Sequence, residues 1–201
     1  MRILVVGNGH SAIHERSVSS AFEGLGCEVH SFYWSKYFGA VGSNKAVKDM
    51  YLKAQNKYLT GPTIIKVNRD LVELCKDLNP DTIFIYRGTH IYAKTLLKIK
   101  RSVPNLIVVG YNNDDPLSPR QNKRYWRHFI ESIPYYDILF AYRKHNVDEY
   151  KALGCKHAFL LMPWFHPDRD FSEIDDTITP ADVSFVGHFE NDHRLEYLEK
   201  L

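Results

Sequence analysis

The chain of 201 residues is 44% apolar and carries 26 basic against 24 acidic side chains, a formal charge of +2. That is enough apolar sequence to bury one full core, and the near-zero balance excludes polyelectrolyte behaviour, so no nucleic-acid partner is expected. The apolar runs fall far short of the ~20 residues a membrane helix needs, and His10 and His14 alone have H-x3-H spacing, with no H-E-x-x-H and no C-x2-C among Cys27, Cys75 and Cys155.

In chain order, residues 3–6 are apolar on both faces, as expected for the centre of a parallel sheet covered by helices on each side. A helical pattern over 16–25 closes at Gly26, and 29–34 reads as a second strand. Residues 35–61 are less regular, with a helix over 44–58, and read as an insertion. Ile64, Val67, Leu71, Leu74, Cys75 and Leu78 share one face of a helix over 63–78, which Asn79-Pro80-Asp81 stops. Strands follow at 82–86, 106–109, 137–142 and 158–162. Helical patterns separate them, one through Leu96, Leu97 and Ile99, a basic aromatic one near 120–129, and one over 146–153 that Gly154 closes. This alternation predicts an α/β fold, a doubly wound and mostly parallel Rossmann-like sheet, because parallel neighbours need a helical crossover. After Met162 a Pro-rich acidic stretch reads as a linker, and 183–186 followed by a helix over 194–201 reads as the start of a second, incomplete domain. The expected organisation is 1–166, a linker over 167–181, and 182–201.

Doubly wound sheets bind ligands beyond the carboxyl ends of their strands, which selects a few loops. Gly7-Asn8-Gly9-His10-Ser11-Ala12 fits G-x-G-x-x-A after the first strand, but the second ends in Phe32-Tyr33-Trp34-Ser35, without the acidic residue that holds a dinucleotide ribose. NAD is therefore not expected. Gly7 and Gly9 either let backbone amides approach an anion or sugar oxygen, or serve a tight turn. His10 and His14 read as proton acceptors or hydroxyl ligands, or as surface histidines. Arg87 and His90 stand on the rim after the strand at 82–86. Arg87 either forks onto a phosphate or carboxylate or pairs with Asp114-Asp115.

Tyr111-Asn112-Asn113-Asp114-Asp115-Pro116 places amides and carboxylates at a strand end, either to bind sugar hydroxyls, with Asp114 or Asp115 as base, or to form turns and caps. Arg120, Lys123, Arg124 and Arg127 share a helical face among Tyr125, Trp126 and Phe129, suited to a membrane surface or to solvent. Asn146 reads as a helix cap.

Three later segments carry a resemblance: DILFAY from Asp137, VDEYKALG from Val147, and FLLMPWFHPD from Phe159. With DVSFVGH from Asp182 and RLEYLEKL from Arg194, they resemble the amino-terminal half and the hinge of a two-domain GT-B glycosyltransferase, and in particular the CgeB-like spore-maturation group. The resemblance implies that this half holds a hydroxyl acceptor, a glycan or a lipid-linked molecule, while a following domain holds the nucleotide-sugar donor. It implies no cofactor and no metal, and activity only when both halves are joined. On that reading Asp114, Asp115 and His10 are the expected catalytic residues, and Gly7, Gly9, His14, Arg87, His90, Asn112 and Asn113 the expected binding residues. The cysteine usage and the start of the chain suggest a cytoplasmic protein. A stand-alone module binding a nucleotide or sugar phosphate is the alternative.

Overall fold

A computed structural model describes residues 1–9, 12–39, 45–165 and 193–200. The chain divides into two compact units, Met1–His166 and Pro167–Leu201. In the first, β1 (Arg2–Gly7), β2 (Glu28–Tyr33), β3 (Thr82–Tyr86), β4 (Ile107–Asn112), β5 (Ile138–Ala141) and β6 (Ala158–Leu160) form one sheet. Its order is β2-β1-β3-β4-β5-β6 and every neighbouring pair is parallel. The helices are α1 (Ser17–Gly24), α2 (Lys45–Tyr58), α3 (Pro62–Leu78), α4 (Ala93–Ser102), α5 (Lys123–Ser132) and α6 (Lys144–Ala152). The α/β doubly wound architecture is the one the alternation predicts.

The period of two along β1 divides the core. Leu4 and Val6 join Ile83, Ile85, Val108 and Leu139 beneath Val67 and Leu71 of α3, whereas Ile3 and Val5 join Phe84, Tyr86 and Tyr111 beneath Val18 and Phe22 of α1. The stop after α3 works through Asn79, which takes the left-handed conformation at φ 46° and donates its backbone N–H to the Cys75 carbonyl at 2.9 Å. From β1 the chain steps outward to β2 and then crosses back to β3 on β1's other side. The loops after β1 and β3 therefore leave in opposite directions and open a crevice at their carboxyl ends.

Several elements differ from the sequence expectations. β4 continues to Asn112, so Tyr111 and Asn112 belong to the strand and are buried. Trp34 opens a 3-10 turn, Trp34–Phe38, and is itself a core residue. The stretch read as an insertion supplies further core through Leu52 and Leu59. α5 begins at Lys123, capped by the Asn122 side chain, so Arg120 lies off the helix and the four basic residues do not share one face. Asn146 does not cap α6: the helix starts two residues earlier, with Arg143 at the cap position, and Asn146 is fully buried. The expected linker, 167–181, and the strand at 183–186 lie outside the described residues. In the second unit the described helix is α7 (Arg194–Leu198). Among the described residues no helix is long and apolar enough to cross a membrane.

Candidate functional site

The first wall of the crevice forms after β1. A kinked turn over Ala12–Arg16 leads into α1 and carries Glu15, which is only 2% exposed and accepts the Asn8 backbone N–H at 2.6 Å. A Cβ on Gly7 would lie 2.2 Å from the Glu15 carboxylate, so glycine at 7 is what lets Glu15 lie across the strand end. Gly9 takes φ +75°, and a Cβ there would meet the Tyr33 ring at 2.2 Å. Both glycines thus admit side chains of the chain itself. The ring of His14, at the kink, stacks on Tyr86 at 4.9 Å. His10 lies outside the described residues.

The second wall follows β3. Arg87 and Gly88 take positive φ, 64° and 61°, one after the other, and the Arg87 N–H reaches the Tyr111 carbonyl at 2.8 Å. A non-glycine residue held there is a strained position maintained by its surroundings. The Arg87 guanidinium pairs with Asp114 at 2.6 Å and lies 5.1 Å over the Trp126 ring. Of the two readings open for Arg87, the pairing with the acidic loop is present.

His90 is buried and stacks on Trp34 at 4.9 Å. Its Nε2 is 2.7 Å from Asn56 Oδ1, and its Nδ1 is 2.9 Å from the Thr89 hydroxyl. An amide oxygen only accepts, so Nε2 carries the proton and Nδ1 accepts from Thr89. Burial, followed by the charges of His128 and Arg87, pushes the His90 pKa down to about 3. His90 is therefore a neutral, fully engaged part of the wall rather than a proton carrier at neutral pH.

Between these walls lies a cavity of about 290 Å³. Asn8 and Glu15 line it from the β1 side, Arg87, Thr89 and His90 from the β3 side, and Lys53, Asn56 and Lys57 from α2. Three of those side chains are cationic and one is a carboxylate. A larger concavity, about 520 Å³, runs between the outer faces of α3 and α4. Size favours the second, but position at the strand ends favours the first as the candidate site, because there backbone and side-chain groups from separate strands converge. Glu15, Lys53, Asn56 and Lys57 had no sequence signal: one is an acidic residue in a first helical turn, and three sit in the apparent insertion.

The segment at the end of β4 is built differently. Asn112, fully buried, accepts the Asp114 N–H through Oδ1 at 2.9 Å, and the Asn113 carbonyl accepts from Arg143 at 3.1 Å. Asp115 accepts from His145 at 2.9 Å and from the Asn146 amide at 2.8 Å. Burial raises the Asp115 carboxyl, but the hydrogen bonds from Asn146 and His145 outweigh it and hold it below its usual value. Neither Asp114 nor Asp115 lines the cavity. Asp115, His145 and Glu149 bring ligand atoms within 4.8 Å of one another, and Glu149 adds a carboxylate that the sequence spacing did not connect to Asp115. The Asn146 amide donates to both carboxylates, at 2.8 and 2.7 Å, and so already supplies the positive end of a dipole between them.

No protein-family model matches the sequence and no curated protein aligns with it.

Proposed function

We propose that the Met1–His166 unit is the acceptor-holding lobe of a cytoplasmic glycosyltransferase, which moves a sugar from a nucleotide-sugar donor to a hydroxyl when joined to a donor-binding lobe. The observation that carries this reading is the cavity at the topological switch point, with one buried carboxylate, Glu15, facing a wall of donors. A hydroxyl seated there has Glu15 to take its proton, while Lys53, Lys57 and Arg87 favour a polar, electron-rich acceptor. Asp114, expected from sequence as a base, supports the site by holding Arg87 across the rim. Asp115 is drawn instead into the hydrogen-bonded group on α6.

The test is a panel of nucleotide-sugars offered to the full-length gene product, with release of the nucleoside diphosphate measured with and without hydroxyl acceptors. Acceptor-dependent release is expected, and Glu15→Gln is expected to lower kcat about 100-fold, the scale of losing a general base. Nucleotide or sugar-phosphate binding with no donor consumed would support the stand-alone module instead.

A further inference from the structure

Helix α2 carries two apolar faces, and only one of them is used. Inward, Leu52 and Gln55 are buried, the Gln55 side chain accepts the Thr63 N–H at 2.7 Å, and Leu59 follows into the core. Outward, Val47, Met50, Tyr51 and Tyr58 are 67, 67, 55 and 44% exposed. Their spacing of i, i+3, i+4 and i+11, with Ala54 at i+7, places them on one stripe. Large apolar residues in helical register on a surface mark an interaction site more strongly than the same residues scattered singly.

The surroundings of the stripe are basic. Lys48, Lys53 and Lys57 lie on α2, whose one acidic residue, Asp49, pairs with Lys53 at 2.7 Å. α5 adds Lys123, Arg124 and Arg127 in its first two turns, with no acidic residue among them. The Arg124 guanidinium lies 5.0 Å over the Tyr58 ring, and Arg127 donates to the Tyr58 and Leu59 carbonyls at 2.9 and 2.5 Å, joining the two helices into one surface.

We infer that this α2–α5 face seats the protein on an anionic phospholipid surface, with the apolar stripe at the boundary between headgroups and acyl chains and the cations against the headgroups. A helix with an apolar stripe flanked by lysine and arginine is suited to lying in that plane. Pairing of two copies through the same face would bring twelve cations together, which charge opposes. Lys53, Asn56 and Lys57 line the rim cavity from the same helix, so the cavity opens beside the headgroup layer. If the acceptor reading holds, that position fits a lipid-linked acceptor. Membrane attachment itself does not depend on that reading, because it is measured without substrate.

The experiment is flotation of the full chain with vesicles of phosphatidylcholine alone and with about one-third phosphatidylserine. Flotation with the anionic vesicles only is expected, weakening as salt is raised. Met50→Glu, at an exposed position, is expected to lower partitioning at least about tenfold with an unchanged circular dichroism spectrum, whereas Lys98→Glu, in the α3–α4 groove, leaves it within about twofold. Equal flotation with both vesicle types, flotation with neither, wild-type partitioning by Met50→Glu, or a dimer in solution that Met50→Glu breaks would each overturn the inference. Vesicle binding without sugar transfer would leave it standing and remove the transferase reading. Transfer to acceptors without vesicle binding would do the reverse.

Discussion

The two sides of α2 are held by different physics. On the inner side, side chains are fixed one against another: Asn56 to His90, His90 to Thr89, Gln55 to the start of α3. On the outer side Val47, Met50 and Tyr51 stand in solvent, and the nearby cations are long and flexible. The inner side is pre-organised for a small molecule, which needs groups already in place. The outer side is suited to a broad, deformable surface, which rewards apolar relief and charge rather than fixed geometry. The α3–α4 groove sharpens the point. It is concave and lined by Arg69, Lys76, Lys94, Lys98 and Arg101, yet it lies on outer helix faces away from the strand ends, and its engaged groups, Asn68 and Thr95, are bonded to each other. Charge and concavity alone do not make a site.

The contrast is broken most directly by acid. The unfolded chain protonates His90 near 6.5, while the folded protein holds it neutral down to about 3. Between those values the unfolded state binds the extra proton, so stability falls as pH falls, by about 1.4 kcal/mol per pH unit and roughly 5 kcal/mol over the interval. Urea titrations at several pH values should show that slope, and His90→Gln should flatten it. A slope unchanged in His90→Gln would mean that other groups dominate the acid sensitivity.

Gly7→Ala comes next. The added Cβ meets both the carboxylate and the Cγ of Glu15, so the side chain must leave the cavity, and steady-state kinetics should show the same loss of about 100-fold expected of Glu15→Gln. If Gly7→Ala kept full turnover, Glu15 would not be the base.

Two substitutions on α2 then separate its sides by stability alone. Leu52→Ala empties a buried position and should cost about 2 kcal/mol. Met50→Ala, two residues away, should change the unfolding midpoint by the equivalent of about 0.5 kcal/mol or less. Comparable losses at the two positions would show that the outer stripe is packed rather than exposed.

Periodicity made the sheet legible. The strand at β3 was readable to its ends, because Pro80 precedes it and a turn follows, and β1 was readable because both its faces are apolar. The site was less so. Glu15 reads as an ordinary acidic residue near a helix start, and its burial depends on a glycine eight positions earlier that no local pattern connects to it. Asn146 has the residue type of a cap, but Lys144 and His145 extend the helix backward and leave the amide inside it. The basic aromatic stretch showed only half of the α2–α5 surface. Its apolar half lay some seventy residues earlier, and Arg127 turned out to be committed to carbonyls at the end of α2.

The hydrogen bond from His90 to Asn56 ties the loop after β3 to the last turn of α2. His90 stands three residues after Arg87, the residue held at positive φ. The imidazole thus joins a wall of the crevice directly to the helix whose other side carries the exposed apolar stripe, so His90→Gln would loosen both at once.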